Sequence, residues 1–232
     1  MTVTLITGAN KGLGYETARQ LIAQGHTVYI GARSIERGEA AAAALGARFV
    51  QLDVTDDASV ETALRVIEER EGRLDVLVNN AGIADVRTGV DGLTGASALK
   101  EFDTNVIGVV RVTQAALPLL RKSENPVVVN VSSGLGSFWA VTNPERHESH
   151  NAFIAYGASK AAVSMLTVQY AKALPEIKVN AVEPGFTATD LTAASGTGQP
   201  VEKGAEVIVR LATIGKDGPT GAFQEKAGAL AW

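Results

Sequence analysis

The sequence predicts an α/β protein: a doubly wound parallel sheet of about seven strands with helices on both faces. Three observations carry this reading. Short runs rich in Val, Ile and Leu alternate along the whole chain with longer helix-compatible segments. Several runs are almost continuously apolar, as strands covered on both faces require. The first run also leads directly into a glycine-rich turn that opens a helix, the local pattern of a βαβ unit.

In chain order the strand candidates are Val3–Ile6, Thr27–Ile30, Arg48–Leu52, Val76–Asn79, Val127–Val131 and Val179–Val182. Helices are expected near 12–24, 35–45, 57–71, 97–120, 153–174 and 201–214. Right-handed crossovers assemble such repeats into one parallel sheet. Pro118 should kink or end the fifth helix, because it lacks the N–H that a helix interior uses. The stretch Asp85–Gly95, rich in Gly, Asp and Thr, reads as a loop, and Gly134–Asn151 as a longer irregular one. With no repeat and no low-complexity linker, one domain over residues 1–232 is expected.

Composition excludes several classes of function. There is no cysteine, so disulfides, thiol catalysis and cysteine-ligated metals are ruled out. Twenty-one basic and 25 acidic residues give a net charge of −4, with the basic residues scattered. Such a surface has no electrostatic reason to hold nucleic acid or an anionic membrane. No apolar run is long enough to span a bilayer, and the first residues show no export signal, so a soluble, cytoplasmic protein is expected.

TGANKGLG, residues 7–14, can cradle a diphosphate. Gly8 allows the strand-to-helix bend, Gly12 lets the backbone approach a pyrophosphate, and Gly14 removes a side chain where helix and strand pack. The diphosphate would lie on free N–H groups at the helix start. The second strand ends in YIGARS, with Arg33 where an acid would otherwise hold a ribose 2′-hydroxyl. An arginine there suits a 2′-phosphate, and Lys11 adds a second positive charge, so NADPH is the expected cofactor.

In AYGASKAAV, Tyr156 and Lys160 lie four residues apart on one helix face. A free tyrosine, with a pKa of about 10, is only ~0.1% ionised at pH 7. Holding it half ionised there would need about 4 kcal/mol, much of which a nearby ammonium can supply in a partly dry site. Tyr156 could then protonate a ketone oxygen as hydride reaches its carbon. Upstream, NVSSGLG brings Ser132 and Ser133 to a carboxyl end of the sheet, where doubly wound folds bind ligands. One of the two should do ordinary turn chemistry.

In this order the motifs resemble those of the short-chain dehydrogenase/reductase family, in its compact branch, over essentially the whole chain. The resemblance implies a Rossmann-type fold and places Gly8, Asn10, Lys11, Gly12, Leu13 and Gly14 against the dinucleotide. LDVTD would put Asp53 and Val54 at the adenine. NNAG would set Asn79, Ala81 and Gly82 beside the cofactor. Asn105, in FDTNVIG, matches an asparagine that helps hold a proton-relay water near the lysine. Ser133 matches the catalytic serine, followed by Tyr156 and Lys160, which also touch the cofactor. EPGFTATD would grip the nicotinamide through Pro184, Gly185, Phe186, Thr187 and Thr189. Within the family the chain looks most like the NADPH-dependent carbonyl reductases, which implies reduction of a ketone, aldehyde or quinone. The alternatives are an alcohol dehydrogenase working oxidatively with either cofactor, and a catalytically silent cofactor-binding sensor or scaffold.

Two departures stand out. Ser133 and Tyr156 are 23 positions apart, wider than the family's usual spacing, so Gly134–Asn151 reads as an insertion over the site. Glu183 stands where the family more often has a neutral residue, and the sequence offers no account of it. His147 and His150 flank Glu148 without a third ligand, so no metal is expected. Phe138 and Trp139 could line a substrate cavity or anchor the loop, whereas Trp232 should pack against the body. Substrate specificity is assigned to Asp85–Gly95, Gly134–Asn151 and Ala188–Pro200. Both a monomer and a homo-oligomer stay open.

Overall fold

The structure, a computed structural model, describes residues 1–84, 89–192 and 197–232. Parts of the loops expected at 85–95 and 188–200 therefore lie outside the described residues. The strands are β1 (Val3–Thr7), β2 (Thr27–Ala32), β3 (Arg48–Gln51), β4 (Val76–Asn79), β5 (Val127–Val131), β6 (Lys178–Val182), β7 (Phe223–Glu225) and β8 (Gly228–Ala229). They form one sheet in the order β3-β2-β1-β4-β5-β6-β7-β8, parallel except for β8, which turns back along β7. Chain direction across the sheet reverses between β1 and β4, so a cleft opens beyond the carboxyl ends of those strands.

The apolar runs do what a two-faced sheet demands. On one face Leu5, Leu77, Val128 and Val179 pack against Val60, Leu64 and Ile67 of α3 (Asp57–Glu71) and Val112 and Leu119 of α6 (Gly108–Leu120). On the other, Ile6, Val76, Val78, Val127 and Val129 meet three helices. These are α1 (Gly12–Ala23), α2 (Ile35–Leu45) and α9 (Val201–Ala212), which contribute Leu21, Ala41 and Ile208 among others. Neighbours along a strand thus serve opposite faces, and each fully buried Val, Leu or Ile contributes about 1.5–3 kcal/mol.

A polar ladder crosses the first of these faces. Asn79 and Asn130 are register partners on β4 and β5. Asn79 Nδ2 donates to Thr113 Oγ1 at 3.1 Å and to Asn130 Oδ1 at 2.9 Å. Asn130 Nδ2 then reaches Thr167 Oγ1 at 2.9 Å, on α8 (Ile154–Ala173).

Two expectations need correction. The helix expected at 97–120 is three pieces: α5 (Gly95–Phe102), a π-helical turn Asp103–Ile107, and α6. A four-residue turn of helix, α4 (Gly89–Gly92), precedes them. Pro118 sits in the last turn of α6, and the helix ends two residues later at Leu120, as a residue without an N–H favours. The irregular stretch 134–151 contains a 3₁₀ turn Gly134–Gly136, α7 (Phe138–Thr142) and a second 3₁₀ turn His147–His150.

Candidate active site

Backbone geometry explains the glycine turn. Gly8 and Gly12 have φ of +66° and +56°, which a side chain would resist. A Cβ on Gly8 would also lie 2.9 Å from the Ala81 Cα, so the turn and the NNAG segment meet backbone to backbone. Thr7 Oγ1 accepts the N–H groups of Asn80 and Ala81, both at 3.0 Å. Asn80 returns its amide to the carbonyls of Thr7, at 2.8 Å, and Gly8. Of the two asparagines, then, Asn79 belongs to the buried ladder and Asn80 braces the turn. Gly14 packs against Asn80 and Ala9 rather than against the strand.

The start of α1 has no side-chain cap and no acidic residue in its first turn. Its N–H groups and dipole are thus available to an anion. Opposite stands the segment after β6. A Cβ on Gly12 would be 3.6 Å from Thr189 Cγ2, and Lys11 Nζ pairs with Asp190 at 2.5 Å on the surface. Lys11 is thus directed across the cleft. Gln199 props the opposite segment, donating to the Pro184 carbonyl at 2.6 Å, while Thr187 Oγ1 donates to the Gly185 carbonyl at 2.9 Å. Phe186 is exposed at the surface of that segment.

Arg33 is exposed just beyond β2. Burial pushes the Asp53 carboxyl up; the N–H and hydroxyl of Thr55, with the charges of Arg33 and Arg111, outweigh it and leave Asp53 below its ordinary value. Val54, beside it, is buried against Gly108. A basic residue thus stands at the strand end with no acid before the exposed Glu36.

At the carboxyl end of β5 the two serines divide their work. Ser132 is buried, bonded to the Lys160 carbonyl and to Ser164 Oγ, each at 3.0 Å. Ser133 caps the following 3₁₀ turn through Leu135 N–H, and its hydroxyl works to lower the Tyr156 phenol. Lys160 is buried and donates to the Val131 carbonyl at 2.7 Å, with Nζ 5.6 Å from the Tyr156 ring centroid. A Cβ on Gly82 would lie 3.5 Å from that Nζ and 3.4 Å from Asn105 Oδ1.

Asn105 holds the π turn in place. Its Oδ1 accepts Ile83 N–H at 2.8 Å, and its Nδ2 donates to the Ile83 carbonyl at 2.9 Å and to Ser159 Oγ at 3.0 Å. Ser159 in turn donates to the Tyr156 carbonyl at 2.8 Å. Both donors of the Asn105 amide and one lone pair of its oxygen are thus used in bracing.

Electrostatics here reverse one expectation. Burial pushes the Tyr156 phenol above its ordinary value; the charges of Glu183 and Glu101 add to this, and the Ser133 hydrogen bond opposes them. Burial lowers Lys160 to about 8 against the opposing pull of Glu183. The Lys160 ammonium donates to the Val131 carbonyl and lies over the ring, and it is not among the charges that move the phenol here. Tyr156 is a protonated donor at neutral pH.

The insertion rims this centre. Phe138, Trp139 and Ile154 are exposed on it and on the first turn of α8. Its α7 is tied down by Trp139 N–H on the Trp232 carbonyl and by Ser137 Oγ on the Ala231 carbonyl. Trp232 stacks on Phe223 at 5.2 Å, as body packing requires. His147 pairs with Glu148 at 3.4 Å, and among the described residues no group of three suits a metal ion. A polar cleft of about 610 Å³, lined by His26, Arg73, Asp75 and Asn125 among others, lies at the amino ends of the central strands, opposite the site. It contains none of the candidate residues, and ligands of doubly wound sheets bind at the carboxyl ends instead.

The chain is similar in sequence and fold to known proteins. Residues 2–200 match the short chain dehydrogenase family. The chain is 36% identical to short-chain dehydrogenase/reductase ATR10 of Stachybotrys chlorohalonatus, over 97% of this chain and 88% of that one. It is 32% identical to (-)-isopiperitenone reductase of Mentha piperita, over 98% and 97% of the two chains. An NADPH-bound carbonyl reductase from chicken fatty liver superposes with a TM-score of 0.86 at 28% identity, covering all of both chains.

Proposed function

The chain belongs to the short-chain dehydrogenase family, and from that premise we propose that it is an NADPH-dependent reductase of a ketone, aldehyde or quinone carbonyl. The observation that carries this reading is the grouping of Tyr156 with Lys160, whose ammonium lies over the Tyr156 ring at 5.6 Å from its centroid, and with Ser133, whose hydroxyl acts on the phenol. The cradle fits a dinucleotide: Gly8 and Gly12 take the left-handed turn that a side chain would resist, and α1 begins uncapped and free of acid. When bound, the reduced nicotinamide supplies a hydride to the carbonyl carbon.

In this reading the backbone of Gly8, Asn10, Lys11, Gly12, Leu13 and Gly14 receives the diphosphate, and Arg33 pairs with the 2′-phosphate. Asp53 and Val54 flank the adenine, and Ala81 and Gly82 line the ribose side. Pro184, Gly185, Phe186, Thr187 and Thr189 face the nicotinamide. Ser133 orients the carbonyl oxygen, and Tyr156 gives it a proton as the C=O bond becomes CH–OH. Lys160 stands ready to stabilise the phenolate left behind. The chain works as one catalytic domain in the cytoplasm. Its NADPH preference is supported by Arg33 and by the NADPH-bound carbonyl reductase with the same fold.

The test is a panel of ketones, aldehydes and quinones with NADPH and NADH, read by loss of reduced-nicotinamide absorbance. Turnover is expected with NADPH, and Tyr156→Phe should lower it by about 10²–10⁴-fold. Full activity in Tyr156→Phe would overturn the assignment.

A further inference from the structure

We propose that Glu183 is a positioning residue of the reaction centre, a single carboxylate that clamps the turn after Ser133 to the Pro184–Gly185 turn and faces the Tyr156–Lys160 pair with its negative charge. The inference rests on the carbonyl-reductase reading of that centre.

Glu183 follows β6, where its main-chain N–H still pairs with the Gln224 carbonyl of β7. The side chain is buried, and its two oxygens do separate jobs. Oε2 accepts the N–H of Gly134, the residue after Ser133, and Oε1 accepts the N–H of Gly185 at 2.8 Å. The turn that carries the candidate serine and the turn that faces the nicotinamide are therefore held in register by one group. An amide in its place offers one acceptor oxygen and turns a donor toward the other N–H.

The insertion closes on this clamp. Gly134 can have no side chain, because its Cβ would run into the Glu148 carboxylate. Glu148, itself buried, is neutralised by Arg146, which bonds Oε1 at 2.8 Å and Oε2 at 3.1 Å, and His147 stands 3.4 Å from the same Oε2. Arg146 also holds Glu225 of β7 at 3.0 and 3.1 Å. The groups facing Glu183 are thus Glu148 and Glu225, with Arg146 between them, and Tyr156 and Lys160 of α8. Burial first, and then the two neighbouring carboxylates, raise Glu183 to about 7, against the opposing Gly134 and Gly185 bonds. Its charge favours the protonated forms of both Tyr156 and Lys160.

The experiment compares wild type, Glu183→Gln and Glu183→Asp, with circular dichroism to establish folding. Glu183→Gln should lower kcat by about tenfold or more, change the carbonyl KM less than about threefold, and move the alkaline loss of activity about one pH unit toward neutral. Glu183→Asp keeps the charge but is too short to reach both N–H groups; it should restore the alkaline limb while kcat stays low. If Glu183→Gln does not fold, Glu183→Asp alone decides: a wild-type kcat overturns the clamp. A Glu183→Gln profile that superposes on wild type overturns the proposal as well. A wild-type protein that reduces no carbonyl would refute the functional reading instead. The Glu183 inference is then read without turnover, from tyrosinate absorbance in the presence and absence of Tyr156→Phe. Tyr156 should ionise at lower pH in Glu183→Gln, and an unchanged titration overturns the inference.

Discussion

Tyr156 keeps its proton because of where its hydroxyl sits: the side chain is only partly exposed, its desolvation raises the phenol, and the charges of Glu183 and Glu101 add to that. A proton donor in the proposed reduction needs that state, so the fold delivers the acid ready to act. Arg33 is the complementary residue at the far end of the cleft. It is exposed and its charge reaches Asp53, so its value to a 2′-phosphate can be tested alone. Replacing Arg33 with Asp should weaken NADPH about 10- to 100-fold while NADH changes less than about threefold, read as Kd by nicotinamide fluorescence. Equal losses for both would remove Arg33 from the 2′-phosphate site.

At the scale of elements, the π turn Asp103–Ile107 shows how a long helix is bent to a purpose. The turn lets Asn105 reach both the Ile83 backbone and Ser159, so α8 and the loop after β4 are tied through one amide. Asn105→Ala would strand these partners in a buried site, and we expect a loss of about 2–4 kcal/mol by urea denaturation. A loss within about 0.5 kcal/mol would show that the turn stands without it. The sequence marks Asn105 through its motif but conceals the turn, since 97–120 has unbroken helical character and the cause lies in tertiary bonds. Likewise the paired asparagines of NNAG look alike in sequence, and only register sends Asn79 inward and Asn80 to the glycine turn. The purely apolar runs were legible because both faces of their strands are covered. β7 and β8, three and two residues long, are too short to show a period. Glu183 was unreadable for another reason: its partners Gly134, Glu148 and Glu225 lie far away in sequence.

For the whole molecule, stability at the amino ends of the central strands, opposite the site, depends on Asp75. Burial raises this carboxyl, but Ser123 at 2.6 Å, Val3 N–H at 2.8 Å and Arg73 together bring it below its ordinary value. A depressed carboxylate contributes stability that is complete above the unfolded value of about 4 and is lost as pH falls through the lower folded value. Asp75→Asn should therefore destabilise by about 1–3 kcal/mol at pH 7, a gap that narrows in acid as both proteins unfold. A gap in denaturation midpoint that stayed constant from pH 7 to about pH 3 would contradict this.

The asparagine–threonine ladder beneath the cleft has a consequence for how the protein breathes. Thr113, Asn79, Asn130 and Thr167 belong to α6, β4, β5 and α8 in turn, so no one of these elements can lift away without baring an amide in an apolar interior. They should open together or not at all. In hydrogen–deuterium exchange their backbone amides are expected to form the slowest cooperative unit, exchanging at a common free energy, while α2 and β3 at the sheet edge exchange sooner. The floor of the cleft would then be the last part of the molecule to let water in.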